Sequence, residues 1–187
     1  MNRRLTLICH AATTATRAAA FPADEGIEPA AQALAAALAP RLGRVDRAWV
    51  SPARAARETA AALGLDAAPE PALRDCDVGR WTGRRLTDVQ AEDAPGVAAW
   101  LADAEAAPHG GEPRTAVFAR VAGWLAARVT ERGHVVAVTH ASVMRAAVLA
   151  VLDAPASAFW RIDVPPLAII ALGSDGRRWN LRAAGQT

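Results

Sequence analysis

Leu5–Arg17 reads LTLICHAATTATR, and far downstream His134–Arg145 reads HVVAVTHASVMR. Each stretch is a short apolar run that stops at a histidine, His10 or His140, and gives way to small residues. Short apolar runs bounded by polar residues read as buried strands. In α/β sheets, ligands bind beyond the carboxyl ends of the strands, where helix N-termini favour negative charge. Two imidazoles delivered to equivalent positions by distant parts of the chain therefore predict one shared, anion-facing site. Each histidine alone would read as a polar cap on its strand.

The rest of the pattern supports that frame. A helix is predicted over Glu28–Leu38, with Pro29 in its first turn, then a strand over Arg47–Ser51 and a helix over Pro52–Leu63 that Gly64 ends. An extended stretch follows at Ala72–Val78, and Asp88–Glu92 and Gly96–Ala104 read as helical around Pro95. In Glu112–Arg132, Val117, Val121, Leu125 and Val129 recur at four-residue spacing, with Phe118 and Trp124 widening an amphipathic helix face. A strand at His134–Thr139, a helix at Ala141–Leu152 and strands at Leu167–Leu172 and Arg178–Arg182 complete the chain. Alternation of this kind implies an α/β fold with a largely parallel sheet. No repeat or linker divides residues 1–187, so a single domain is expected.

Composition excludes several classes. All 21 basic residues are arginine, net charge is +2, and no arginine-rich block or aromatic-basic stripe points to nucleic acid. Two cysteines, Cys9 and Cys76, make neither a disulfide framework nor a zinc motif, which fits a reducing, cytoplasmic setting. The run after Asn2-Arg3-Arg4 is too short for a signal peptide, and nothing approaches the ~18 apolar residues of a membrane helix.

Several motifs, in order along nearly the whole chain, resemble the histidine phosphatase superfamily, the phosphoglycerate mutase-like phosphatases. That family's Arg-His-Gly-x-Thr is met by Cys9-His10-Ala11-Ala12-Thr13, and its Ser-x-x-x-Arg-Ala-x-x-Thr-Ala by the decapeptide Ser51–Ala60. Its Leu-x-Glu-x-x-x-Gly-x-Trp-x-Gly is met by Leu73–Gly83, with Asp75 at the glutamate, and Gly-Gly-Glu by Gly110-Gly111-Glu112. Its Val-x-His-Gly-Gly-x-Ile-Arg is met by Val138–Arg145. The resemblance implies a three-layer sandwich with a central, mostly parallel sheet flanked by helices. It also implies phosphoryl transfer without metal or cofactor: His10 as nucleophile, His140 as phosphate-binding partner, Asp75 as proton donor. Thr13 and Ala141 fall within the substrate-binding motifs. A small phosphorylated or anionic substrate is expected, and a monomer or homodimer.

The sequence departs from the pattern at two charges. Cys9 and Ala55 stand where the family carries phosphate-clamping arginines. A charge-assisted hydrogen bond contributes about 1.5–3 kcal/mol, so losing two lowers the rate by roughly two to four orders of magnitude. Arg17, just past the nucleophile loop, and Arg54, beside Ala55, are the candidate replacements. Each also reads as a solvated arginine. Glu112 is a second candidate acid or the dipole partner of its helix. Arg145 and Trp81 read as structural support, and His109 as a surface residue or a substrate contact. The alternatives are a repurposed site acting on a less charged substrate by His/Asp acid–base chemistry, and an inactive binding module. Cys9 reads as a small thiol packed beneath the site rather than a nucleophile, since it and His10 point to opposite strand faces, and the resemblance argues against a metal site of His10, His140 and Asp75.

Overall fold

The computed structural model describes residues 3–183. Strand β1 (Arg3–Cys9) ends at His10, and one turn of helix, α1 (Thr14–Arg17), follows in the loop. Then come α2 (Pro29–Leu42), β2 (Arg47–Val50), α3 (Arg54–Ala62) and the short β3 (Ala67–Pro69). A long excursion carries α4 (Leu86–Glu92) and α5 (Ala94–Ala102) into α6 (Arg114–Arg128). Strand β4 (Gly133–Thr139), α7 (Ala141–Leu152), β5 (Ile169–Ser174) and β6 (Trp179–Leu181) close the sequence of elements.

The strands form one sheet in the order β3-β2-β4-β1-β5-β6. β3, β2, β4 and β1 are mutually parallel, while β5 and β6 add antiparallel neighbours at one side. Side-chain alternation assigns the layers. Leu5, Leu7, Cys9, Val135 and Ala137 pack with Val117, Val121 and Leu125 of α6 and Val143, Met144 and Ala147 of α7. Ile8, Val136 and Val138 face the other way, onto Leu42 of α2 and Ala56 and Ala60 of α3. The sheet therefore lies between two helical layers, and its central strands, covered on both faces, are largely apolar; Thr6, the buried exception in β1, is paired with His134 Nε2 at 2.9 Å. Among the described residues, no helix is long and apolar enough to cross a membrane.

One predicted element is corrected. Ala72–Val78 is not extended: Pro71–Leu73 is a 3-10 turn and irregular chain follows. Glu70 accepts the Ala72 amide at 3.1 Å, which starts the turn, and the place beside β2 is already filled by Ala67–Pro69. Asp75 and Asp77 thus sit on a loop and share no strand face. The long helix also starts two residues later than expected, after Pro113, and ends at Arg128.

The excursion has its own small core. Trp81, fully buried, packs against Phe21 and Trp100 at ring distances of 5.3 and 5.7 Å. His109 is buried beside Trp81 rather than on the surface, and its Nδ1 accepts the Gly111 amide at 3.0 Å. Gly79 adopts φ +47°, and a Cβ there would run into the His109 carbonyl oxygen. Gly64, at φ +69°, has open space around its Cα. At Gly79 left-handed backbone combines with overlap against main chain, so Gly79→Ala costs about 1–3 kcal/mol. Urea unfolding should give Gly79→Ala a clearly lower midpoint than Gly64→Ala.

Candidate active site

The parallel ladders align three chain ends. Cys9 pairs with Thr139 and Val50 with Val138, so the residues one step beyond β1, β2 and β4 emerge side by side. The His10 amide still donates to the Thr139 carbonyl at 2.8 Å, and the Ser51 amide to Val138 at 2.9 Å. The His10 and His140 rings meet edge to face, 5.1 Å between centroids.

His10 has a defined tautomer. Its Nδ1 lies 2.8 Å from the Ala11 carbonyl oxygen, which only accepts, so Nδ1 carries the proton and Nε2 keeps its lone pair. The loop is fixed from α3: Thr59 Oγ1 accepts the Ala11 amide at 2.9 Å and donates to the Ala55 carbonyl at 2.7 Å.

His140 is buried, with Nε2 2.7 Å from Ser51 Oγ and Nδ1 3.5 Å from the Asp75 carboxylate. Burial pushes its pKa down to about 4; Asp75 opposes that shift, and His10 and Arg120 add to it. The imidazole is therefore neutral near pH 7. The Asp75 carboxylate facing Nδ1 favours the proton of the neutral ring there, so that Ser51 Oγ donates to Nε2.

Asp75 is held from several sides. Burial alone would raise its pKa, but His140, the Ser142 hydroxyl, the Cys76 amide and His10 outweigh it and hold the carboxyl below its ordinary value. Ser142 Oγ donates to Oδ1, as does the Cys76 amide at 2.9 Å. The loop itself is pinned: Thr139 Oγ1 donates to Leu73 O at 2.7 Å, and Arg120 donates to the carbonyls of Ala72 and Asp75 at 2.8 and 3.0 Å.

The other sequence candidates divide. Thr13 caps α1, donates to Glu25 at 2.8 Å and lines a cavity of about 280 Å³ that also contains His10, Asp75 and Ala141. Arg17 and Arg54 do not line that cavity. Arg17 is exposed and paired with Glu28 at 2.6 Å, and Arg54 is exposed and paired with Glu58 at 2.7 Å. Glu112 pairs with Arg120 and Arg74 at 3.0 and 3.1 Å, supporting the loop rather than facing the histidines. Beside His10 and His140, a smaller cavity of about 170 Å³ is lined by Ala55 together with Asp24, Glu25 and Asp77. Cys9 is buried, and burial with Asp75 nearby pushes its thiol up to about 12, so it stays protonated and unreactive.

Sequence reading passed over Ser51 and Ser142 as partners of the histidine and the acid, and over Arg114. The last left a trace: Arg114 stands in the apolar register that continues as Val117, Val121 and Leu125, a place where a charge is out of keeping.

The family model for the histidine phosphatase superfamily (branch 1) matches residues 5–187. The chain belongs to this superfamily. Mycobacterial glucosyl-3-phosphoglycerate phosphatase, solved with VO3, is similar at 27% identity and a TM-score of 0.85, over 96% of this chain and 97% of that one. A protein described as mycobacterial hydrolase 1 reaches 28% identity and a TM-score of 0.86, over 98% of each chain. The putative alpha-ribazole-5'-P phosphatase of Escherichia coli, at 24% identity and a TM-score of 0.86 over 100% and 97%, shares the fold. No curated protein matches the sequence.

Because His140 has a lower pKa folded (about 4) than unfolded (about 6.5), the unfolded chain binds more protons between those values. Stability is therefore lost as pH falls from about 6.5 toward 4, and burial makes His109 and His134 contribute with the same sign. Nitrogen-15 NMR should find His140 neutral, protonated on Nδ1, at pH 5.5. His140→Asn should flatten the decline of the urea midpoint across that window.

Proposed function

We propose that this histidine phosphatase superfamily member hydrolyses a small phosphomonoester through a phosphohistidine at His10. The observation that carries this reading is the His10 tautomer: the Ala11 carbonyl holds the proton on Nδ1 and presents a free Nε2 beside the neutral His140. Vanadate in the mycobacterial relative agrees with a phosphoryl site in this fold.

Nε2 attacks phosphorus as the P–O bond to the leaving group breaks. His140 Nδ1–H donates to a phosphoryl oxygen, and the leaving oxygen takes a proton by way of Asp75. Water then attacks phosphorus as the P–N bond to His10 breaks, its proton passes to Asp75, and phosphate leaves. The lowered pKa of Asp75 leaves it ionised in the free protein. The required proton therefore arrives with the ester: carboxylate plus monoanion hold the same single proton as acid plus dianion. Activity should accordingly fall as pH rises through the second phosphate ionisation, near 6.

Ala55 and the surrounding carboxylates make this a slow site for a doubly charged group. Restoring one cation with Ala55→Arg should raise kcat/KM on an aryl phosphate at least tenfold, in line with about 1.5–3 kcal/mol for a charge-assisted bond. Incubation with a phosphorus-32 ester should give an acid-labile, base-stable label that His10→Ala abolishes. Turnover that survives His10→Ala would sink the phosphohistidine.

The carboxylates Asp24, Glu25 and Asp77 favour a second reading, a less charged substrate handled by acid–base chemistry of His10, His140 and Asp75. Hydrolysis of an uncharged ester without any label on His10, lost in His140→Ala, would select it.

A further inference from the structure

The larger cavity carries two cations that phosphoryl transfer at His10 leaves unused. Arg114, the first residue of α6, is 4% exposed, yet its Nε and Nη1 have no hydrogen-bond partner. No carboxylate lies within ion-pair distance of it among the described residues. Its guanidinium sits over Trp160, Phe159 and Trp100 at 5.0, 5.4 and 5.9 Å from the ring centroids. Arg145 lies over two of the same rings, Phe159 and Trp160, at 5.5 and 5.6 Å, and donates through Nε to the Ile162 carbonyl at 2.8 Å. Both arginines and all three rings line the cavity that contains His10 and Asp75.

Aromatic faces compensate a buried guanidinium only in part. An arginine stays charged when buried, and unsatisfied donors in such a place are costly. Two like charges gathered on the same rings make the arrangement worse. A planar anion between them would supply the donors' acceptors and neutralise the repulsion. A singly charged group suits these walls better than a second phosphate, because less charge leaves water.

We propose that Arg114, with Arg145 beside it, forms a subsite for a carboxylate on the body of the substrate. On the phosphatase reading, on which the substrate assignment rests, the ester taken here is a carboxylated phosphomonoester with a flat or apolar body. The aromatic walls hold the body while the phosphoryl group meets His10. Arg114 is then a specificity residue that binds the leaving group rather than the phosphorus.

Two esters of matched leaving group test this: 4-(carboxymethyl)phenyl phosphate and its neutral primary amide. Wild type should favour the acid by tenfold or more in kcat/KM, Arg114→Met should lose that preference, and Arg114→Lys should keep part of it. A wild-type ratio near one, or a preference that Arg114→Met leaves unchanged, would overturn the subsite. Calorimetric binding of the corresponding phosphonates separates the two proposals. If neither ester turns over, the phosphatase reading fails. Tighter binding of the carboxylated phosphonate, lost in Arg114→Met, would still uphold the subsite, and equal binding of both phosphonates would overturn it. Circular dichroism of each variant confirms that the comparison is between folded proteins.

Discussion

Everything at the site depends on the register of β4 between β1 and β2. Cys9 opposite Thr139 and Val50 opposite Val138 bring His10, His140 and Ser51 together at the carboxyl ends of three interior strands. A slip of one residue in a strand would turn its side chains to the other face and bury or expose the wrong set. The apolar layers on the two faces prevent that slip. Core packing thus sets the position of the chemistry, and the hydrogen bonds from Ala11, Thr59 and Ser51 then refine the orientation of each ring.

Charge is distributed unevenly around this frame. On the α3 side, the histidines face Ala55 and carboxylates; on the side of α6 and α7, His10 and Asp75 share a cavity with two arginines stacked on aromatic rings. The family's clamps would have gathered cations around the phosphoryl group. Here Arg114 and Arg145 stand among aromatic walls of the larger cavity. Sequence-level replacement by Arg17 or Arg54 fails for a simple reason: each has a carboxylate within 2.7 Å and stays at the surface.

The strand-to-histidine stretches were legible because a strand's apolar run and its abrupt end are local properties. Asp75 was legible only through the order of motifs, since nothing local distinguishes it from Asp77. The loop that carries it was misread as extended because a short stretch after Pro69 and Pro71 suits either form. What decided between them was the strand Ala67–Pro69 filling the place beside β2, a tertiary fact. Ser51, Ser142 and Arg114 escaped for the same reason: their roles lie in partners that no spacing rule brings together.

Helix α6 links both ends of the cavity. Arg120 holds the main chain of Asp75, and Arg114 lies six residues earlier on the same rigid rod. At 1.5 Å per residue, their backbones are about 9 Å apart along its axis. The helix therefore acts as a gauge of fixed length. A ligand longer or shorter by about 5 Å, three or four bonds, could be met by moving a cation one turn along this rod, leaving the strands and both imidazoles untouched.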